Sequence, residues 1–440
     1  MEEVVDYYSL NKFNTSNDGS VFNDFTITKK DKKILKSLAQ EKADKADSSI
    51  HARKIKMWKS LNDLEDVRPL VWINEIPWHE MNIDDELTLI TTNAFSKYLE
   101  TRLRRSIYLW KHMPSDFVIE PILPCYIVIN NTGFGISEEV NIAVTDSSSD
   151  IISREFIPQI QNDEDIEKIK IPKVNFDNKL TEEKYQVMHD IFDGILKVDK
   201  RGVPGFWFAP WDELIRWWGV QQALTDLVLR PNLVHKAMER LTQAYLVMLD
   251  QYEDKKLLAL NNGNYRIGSG GLGYTDKLPK EDFTLGNVRT CDLWGCGTAQ
   301  IFSNVSPAMH YEFALDYEIK WMKRFGLNYY GCCEPLDKKM DILKRIPNLR
   351  KISMSPWVDL ELGAKNIGKD YVFSYKPSPS IFAENGWDVE EIERKLFRDL
   401  SILKDCNVEI IMKDISTVKY KPQKLWQWAE IAIKVAQKFL

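Results

Sequence analysis

The stretch RKISMSPWVDLELGAKNIGKDYVFSYKP, residues 350–377, decides the fold class. It begins and ends with short runs, RKISMS (350–355) and YVFSYKP (371–377), which predict two strands. The residues between them have a helical pattern, and a third strand-like run, VEIIMKD, follows at 408–414. Strands that alternate with helices in this way predict a parallel α/β fold.

The alternation begins at about residue 65. The earlier strand-like runs are RPLVWINEIPW (68–78), DFVIEPILPCYIVIN (116–130), GVPGFWFAP (202–210), LLALNN (257–262), CDLWGCG (291–297) and LNYYGCCE (327–334). The number of strand–helix units favours a (β/α)8 TIM barrel over a doubly wound sheet. The chemistry of such a barrel would lie on the loops that follow its strands.

Two segments depart from this pattern. Residues 1–65 predict an irregular arm to about residue 28 and then two charged helices over 29–61, with a break near Ser48 and Ser49. Residues 66–440 form the predicted barrel, and within it the polar, weakly periodic segment 131–185 predicts an insertion or lid.

The composition excludes several classes of protein. The 59 Lys and Arg residues against 65 Asp and Glu residues give a net charge of −6, so a nucleic acid or an anionic membrane surface is not expected as the main partner. No run approaches 18 apolar residues, and the first residues, MEEVVDYYSLNKF, contain no apolar signal-peptide core. Six cysteines in 440 residues are too few for a disulfide scaffold, so a reduced, cytoplasmic protein is expected.

Four predicted strand ends carry chemically reactive side chains. They are Asn74, Glu75, Trp78 and His79; Asp292, Trp294 and Cys296; Tyr330, Cys332, Cys333 and Glu334; and Lys413 with Asp414. Glu75 follows a buried strand, so we expect it in the active site rather than in a surface salt bridge, and we expect Glu75→Gln to leave stability nearly unchanged.

The third group suggests a metal site. Residues two apart in a strand face the same way, so Tyr330, Cys332 and Glu334 are expected to share a face while Cys333 points elsewhere. A thiolate and a carboxylate with an open coordination position suit a catalytic zinc ion. The alternative is that the cysteines are small buried residues that only pack.

The sequence Gly268-x-Gly270-x-x-Gly273 matches a dinucleotide-binding fingerprint formally. The residues that follow it, Tyr274 to Pro279, do not begin a regular helix, so the strand–turn–helix context of that fingerprint is missing. A flexible active-site loop is therefore the better prediction.

Several motifs together resemble the uroporphyrinogen decarboxylase superfamily over roughly residues 52–435. They are RPLVW (68–72), DIEKIKIP (165–172), RPNLVH (230–235), DLWG (292–295), VDL (358–360) and YKP (375–377). The resemblance implies a TIM barrel. In the decarboxylases an arginine-rich stretch after the first strand holds substrate carboxylates, whereas this chain has Ile73 to Trp78 there, with no arginine.

The other branch of the superfamily consists of corrinoid-dependent methyltransferases, and the chain looks most like members labelled trimethylamine corrinoid proteins. That branch binds zinc through H-x-C and a distant cysteine. Tyr330-Gly331-Cys332 stands at the H-x-C position, so the thiolate is kept and the histidine is lost. The resemblance implies zinc on Cys332 and Glu334 with Asp414, and less strongly on Cys333 or Cys296.

Three hypotheses follow. The first is a methyltransferase that moves a methyl group between a small methylated substrate and a corrinoid carried by a partner protein, with zinc as a Lewis acid. The second is a metal-independent lyase or decarboxylase, for which Arg68, Arg216 and Arg266 are the candidate carboxylate-binding residues. The third is a non-catalytic corrinoid- or metal-binding protein.

The first hypothesis assigns a role to each candidate. Glu75, His79 and Tyr330 would be catalytic, through substrate positioning or proton transfer. Asn74, Trp78, Trp211 and Trp294 would bind the substrate, because aromatic walls suit a methylammonium group or a flat corrin.

Overall fold

The computed structural model describes residue 22 and residues 24–143 and 153–439. Its helices are α1 (Lys29–Ala46), α2 (Ile50–Asn62), α3 (Ala94–His112), α4 (Asn178–Phe192), α5 (Pro210–Trp218), α6 (Val220–Leu229), α7 (Pro231–Asp254), α8 (Pro307–His310), α9 (Asp316–Met322), α10 (Met340–Leu343), α11 (Leu360–Ile367), α12 (Ser380–Ala383), α13 (Val389–Ile402) and α14 (Gln423–Ala436). A π-helical turn, Tyr311–Leu315, joins α8 to α9.

The strands are β1 (Leu70–Ile73), β2 (Ile122–Tyr126), β3 (Ile129–Asn131), β4 (Val140–Ala143), β5 (Ser153–Phe156), β6 (Val174–Phe176), β7 (Lys197–Arg201), β8 (Trp294–Gly297), β9 (Leu327–Tyr330), β10 (Leu349–Met354), β11 (Val372–Tyr375) and β12 (Asn407–Met412). Six of them form one parallel sheet in the order β1-β12-β11-β10-β9-β8. Their carboxyl ends therefore meet at one edge.

Both faces of this sheet are buried, and its strands carry apolar residues on each face, as β1 does. On β1, Val71 and Ile73 pack into the large core between the sheet and the helices, whereas Leu70 and Trp72 face a second core that also contains Trp58 of α2. The helix α2 thus covers the face of the sheet on which Leu70 and Trp72 lie, and this face is called the inner face below.

Additional segments bond to each edge of the sheet. The backbone N–H of Asp116 donates to the Val71 carbonyl at 2.9 Å, and Phe208 forms a parallel bridge with Gly297 of β8. The mixed α/β class with a central parallel sheet is confirmed. In the described ranges the ladder does not close into eight strands, so the closed barrel stays a prediction.

The two helices predicted before residue 65 are present as α1 and α2, and residues 47–49 form the non-helical link between them. The hydroxyl of Thr28 caps α1 by accepting from the Asp31 backbone N–H. The predicted arm falls, up to residue 21, outside the described residues.

The predicted insertion, 131–185, contains β4 to β6 and packs through Ile160, Ile166 and Ile169 into the large core. Its residues 144–152 lie outside the described ranges, and its role as a lid stays a prediction. In the described part of the chain no helix is long and apolar enough to cross a membrane.

Candidate functional site

A charged cluster lies at the carboxyl edge of the sheet, where parallel α/β proteins place their ligands. The residues that directly follow β1, β12, β11, β10 and β8 are Asn74, Lys413, Lys376, Ser355 and Thr298, and all are buried. The residue after β9 is Gly331, and Cys332 and Cys333 come next. This edge therefore gathers polar groups from all six strands.

Glu75 forms the centre of the cluster. Its carboxylate lies 3.0 Å from the Arg266 guanidinium and 3.3 Å from the Lys413 ammonium, and it accepts from the backbone N–H of Asp414 at 3.1 Å. Lys413 also lies 2.5 Å from the Asp414 carboxylate. Glu75 lies among charged groups at the strand ends, and the expectation that it belongs to the active site stays a prediction.

The backbone at the centre of this cluster is unusual. Glu75 has φ 53° and Asp414 has φ 56°, so both occupy the left-handed region that non-glycine residues rarely adopt. Each such residue costs of the order of 1 kcal/mol or more. Glu75 and Asp414 are each the second residue after their strand, β1 and β12, and this shared conformation indicates a geometry that the surrounding contacts enforce.

The charges shift the protonation of the cluster. Burial alone would raise the pKa of Glu75, but Arg266 and Lys413 hold it well below its usual range. Burial opposes the charge on Lys413, yet the anionic groups around it raise its pKa above the usual value. Burial raises the pKa of the Asp414 carboxyl, and the neighbouring Glu75 charge adds to that effect.

Two thiols border the cluster. The Cys332 Sγ lies 3.9 Å from the Lys413 ammonium and 3.5 Å from the Cys333 Sγ. Cys332 is buried and Cys333 is exposed, with its Sγ 3.8 Å from the Asp414 carboxylate. The hydrogen bond between the thiols and burial raise the pKa of Cys332, and the same hydrogen bond lowers the pKa of Cys333.

The expected shared face of Tyr330, Cys332 and Glu334 is wrong. The strand β9 ends at Tyr330, and Gly331 has φ 97°, so the alternation of a strand does not continue to the cysteines. Tyr330 points into the helical layer, where its hydroxyl lies 2.8 Å from His310 Nε2 and donates to Glu318 at 2.6 Å. Cys332 instead packs in a smaller apolar cluster that also contains Tyr329 and Trp294.

The predicted zinc ligands do not form a metal site. The ammonium of Lys413 lies between Cys332 and Asp414, the position that a bound cation would need. The fully buried Glu334 accepts from the Cys332 backbone N–H at 2.8 Å and from the Thr298 hydroxyl at 2.8 Å, so its carboxylate serves the fold of the loop. Within the described ranges, no three His, Cys, Asp or Glu side chains are grouped to hold a metal ion. Zinc binding stays a prediction, and the arrangement of these side chains does not fit it.

The predicted substrate-binding tryptophans lie apart from one another. Trp211 is buried and donates to the Phe313 carbonyl at 2.9 Å. Trp294 lies in the apolar cluster with Tyr329 and donates to the Gly273 carbonyl at 2.9 Å. Trp78 is half-buried beneath the Arg105 guanidinium. Their binding roles stay predictions, and the three do not line one common wall.

Three further predicted residues have well-defined positions. Asn74 is buried and its amide donates to Glu75 at 3.3 Å. His79 is exposed, and its ring lies 3.8 Å from Glu80, a carboxylate that binds the backbone N–H groups of residues 418 and 420. Cys296 is buried and its thiol donates to the Phe206 carbonyl at 3.0 Å. Of these three, only Asn74 contacts the cluster directly.

Of the three arginines considered for the lyase hypothesis, Arg266 alone is in contact with Glu75. Arg68 forms a buried pair with Asp116 at 2.6 Å, and Arg216 lies 3.5 Å from Glu213 on α5. Arg266 comes from the loop after α7, which no strand pattern places at the sheet edge.

The glycine-rich segment 268–273 is buried rather than a flexible loop. A Cβ atom at Gly268 would lie 2.3 Å from the Tyr329 ring, and one at Gly270 would lie 2.3 Å from the Glu409 carboxylate. The glycines therefore allow the loop to approach the inner face of the sheet, and this close packing explains the spacing without a nucleotide.

The sequence reasoning missed a second polar group at the same edge. Lys376 donates to the Tyr329 hydroxyl at 3.0 Å and to the Ser353 hydroxyl at 2.5 Å, and Ser353 donates to the Cys332 carbonyl at 2.6 Å. Lys376 and Ser353 stand at the ends of predicted strands, so the strand-end rule that selected Lys413 could also have found them.

Fold and site together define a parallel α/β protein with a buried, charged and thiol-bordered cluster at the carboxyl edge of its sheet. The chain is similar to a methyltransferase from Methanosarcina mazei, with a TM-score of 0.49 and 10% sequence identity, over 88% of this chain and 98% of that one. At this score and identity the similarity supports no conclusion about activity. No protein-family model and no curated protein matches the sequence.

Proposed function

We propose that the chain is a cytoplasmic enzyme that moves a methyl group between a small substrate and a corrinoid carried by a partner protein. The observation that carries the proposal is the cluster of Glu75, Arg266 and Lys413 beside the Cys332 thiol at the carboxyl edge of the sheet. Cys332 holds the position that, in the resemblance to corrinoid-dependent methyltransferases, belongs to a thiolate. The closed (β/α)8 barrel is part of the same proposal.

The residues of the cluster would bind and orient the substrate. The Glu75 carboxylate is held ionised, so it can accept a hydrogen bond from a substrate N–H or O–H or face a cationic nitrogen. When a methyl group leaves a heteroatom, the heteroatom keeps the bonding electron pair and takes up a proton. The Lys413 ammonium, 3.3 Å from Glu75, and the Asp414 carboxyl that contacts this ammonium could exchange the proton with the heteroatom.

The corrinoid would supply the methyl-accepting and methyl-donating chemistry when its carrier protein docks. The sequence contains no D-x-H-x-x-G stretch of the kind that binds cobalamin, so the corrinoid belongs to a separate protein. No step of the proposal uses zinc, because Lys413 occupies the centre of the predicted ligand set.

The test is demethylation of free methylcobalamin by the purified full chain in the presence of small thiols or amines, followed by the change in corrinoid absorbance. We expect turnover by the wild type and a loss of at least about tenfold in Cys332→Ser and Glu75→Gln, which corresponds to about 1.4 kcal/mol in the barrier. Cys406→Ser is the matched control and should equal the wild type, because the half-buried Cys406 precedes β12 whereas the cluster follows the carboxyl end of that strand. Absence of turnover, or equal rates in all variants, contradicts the proposal.

The lyase hypothesis remains a second candidate because Arg266 and Lys413 lie on either side of Glu75 as a pair of buried cations. Such a pair can bind a substrate carboxylate. In that case Glu75→Gln should strengthen the binding of malonate, measured by calorimetry, and the chain should release carbon dioxide from a carboxylate substrate without any corrinoid. Weaker or unchanged malonate binding in Glu75→Gln would remove this candidate.

A further inference from the structure

Lys376 is a buried lysine at the carboxyl edge of the sheet. The residue is 2% exposed, and in the described part of the chain no carboxylate lies within salt-bridge distance of its ammonium. An ammonium has three N–H groups, and two of them are used by the hydroxyls of Tyr329 and Ser353. Burial of an uncompensated charge is costly, so a group of opposite charge is expected beside it.

The surroundings of Lys376 are rich in hydroxyl groups. The Tyr329 hydroxyl donates to the Ser374 hydroxyl at 3.1 Å, and the Ser269 hydroxyl lies 3.0 Å from the Tyr329 hydroxyl. The protons of the Ser353 and Tyr329 hydroxyls are donated to the Cys332 carbonyl and to Ser374, so these hydroxyls accept from the ammonium and leave its third N–H for an oxyanion. A site for a second cation would instead require carboxylates.

Another lysine of the same sheet shows the contrast. Lys351 is fully buried too, but its ammonium lies 2.8 Å from the Glu409 carboxylate inside the sheet. Among the described residues, the fold thus supplies a carboxylate for Lys351 and none within salt-bridge distance of Lys376.

We propose that the Lys376 ammonium, held in place by the hydroxyls of Ser353 and Tyr329, uses its third N–H to bind an oxyanion, which is the carboxylate or phosphate group of a small molecule. Ser353 connects this position to the candidate site because its hydroxyl donates to the Cys332 carbonyl at 2.6 Å. The inference rests on the proposed function only in assigning the anion to the substrate. Binding of the anion requires no methyl transfer.

The test is thermal unfolding of the full chain with inorganic phosphate or malonate, against sodium chloride at equal ionic strength. We expect one of the two anions to raise the melting temperature of the wild type. Lys376→Met should melt above the wild type without anion, because the uncompensated charge is gone, and its anion affinity should be at least about tenfold weaker. Lys351→Met is the matched control: it should melt lower, because Glu409 loses its partner, and should keep the anion response.

The two anions distinguish a carboxylate from a phosphate ligand. If Lys351→Met does not fold, Lys376→Arg serves instead, because it keeps the charge and should retain the anion response. The proposal is overturned if the wild type responds to neither anion, if Lys376→Met responds as the wild type does, or if Lys376→Met melts below the wild type. Retained anion binding in a chain without methyl transfer would count against the proposed function alone.

Discussion

The guanidinium of Arg266 lies 3.0 Å from the carboxylate of Glu75, across 191 positions of sequence. This pair attaches the loop after α7 to the end of β1, and Lys413 approaches the same carboxylate from β12 at 3.3 Å. Glu75 therefore balances two buried cations and contributes to stability as well as to the site.

Glu75→Gln should consequently lower the free energy of unfolding by about 1–3 kcal/mol at neutral pH, because Arg266 and Lys413 would both lose the charge of this carboxylate. This revises the expectation, drawn from sequence, of nearly unchanged stability. The pKa of Glu75 lies below its usual value of 4.5, so its contribution is complete above that pH and is lost as the pH falls further. Urea unfolding at several pH values measures the difference between the two proteins.

The exposed Glu167 is the control for this experiment, because its side chain is 74% exposed and lies 3.4 Å from Arg240 at the surface. Glu167→Gln should change stability by less than about 0.5 kcal/mol. A Glu75→Gln protein as stable as the Glu167→Gln protein would show that Glu75 does not hold the cluster together.

The strand ends of this protein could be predicted from sequence, and the loops between them could not. Both faces of the sheet are buried, so β1 appears as an apolar run and β12 contains one, and the residues after them, such as Glu75 and Lys413, lie at one edge. Arg266 reaches the edge from an irregular buried loop, and no periodicity predicts where such a loop packs.

The error at the cysteines has a local physical cause. The rule of alternation holds only within a strand, and β9 ends at Tyr330. The left-handed Gly331 then turns the chain, so Cys332 packs inward and Cys333 reaches the surface. A glycine inside a predicted strand is the signal that could have given this warning.

Cys333, rather than Cys332, should be the thiol that reacts first with iodoacetamide. It is exposed, and the hydrogen bond from Cys332 lowers its pKa below the usual value of 9.0. The rate of alkylation should therefore rise with pH to a midpoint below 9.0, because the thiolate is the nucleophile. Mass spectrometry of the tryptic peptide 325–338 reports which cysteine carries the label.

Cys332→Ala removes the donor and should move this midpoint upward, whereas Cys406→Ser should leave it in place. Preferential labelling of the buried Cys332, or a midpoint above 9.0 in the wild type, would contradict the assignment.

Lys413 should keep zinc out of the cluster. Its ammonium lies 3.9 Å from the Cys332 Sγ and 2.5 Å from the Asp414 carboxylate, so a zinc ion would meet a positive charge at the centre of these ligands. Protein purified without chelator should contain well below one zinc per chain, and Lys413→Ala should bind more zinc than the wild type. Elemental analysis after gel filtration measures both. Stoichiometric zinc in the wild type that is lost in Cys332→Ser would restore the zinc site implied by the resemblance.

Glu318 should make the protein less stable as the pH rises towards 8. Its carboxyl is fully buried beneath Tyr330, and burial raises its pKa from 4.5 to about 8. The native state therefore keeps a proton that the unfolded chain releases near pH 4.5, and stability falls between these two values as the pH rises. Glu318→Gln keeps the hydrogen-bonding shape without the titration, so its stability relative to the wild type should increase by on the order of 3 kcal/mol between about pH 5 and pH 8. Glu312→Gln, a change at an exposed carboxylate in the preceding π-helical turn, is the control and should show no such trend. Urea unfolding at several pH values measures both variants. A flat or opposite difference for Glu318→Gln would show that the buried carboxyl is ionised in the native state.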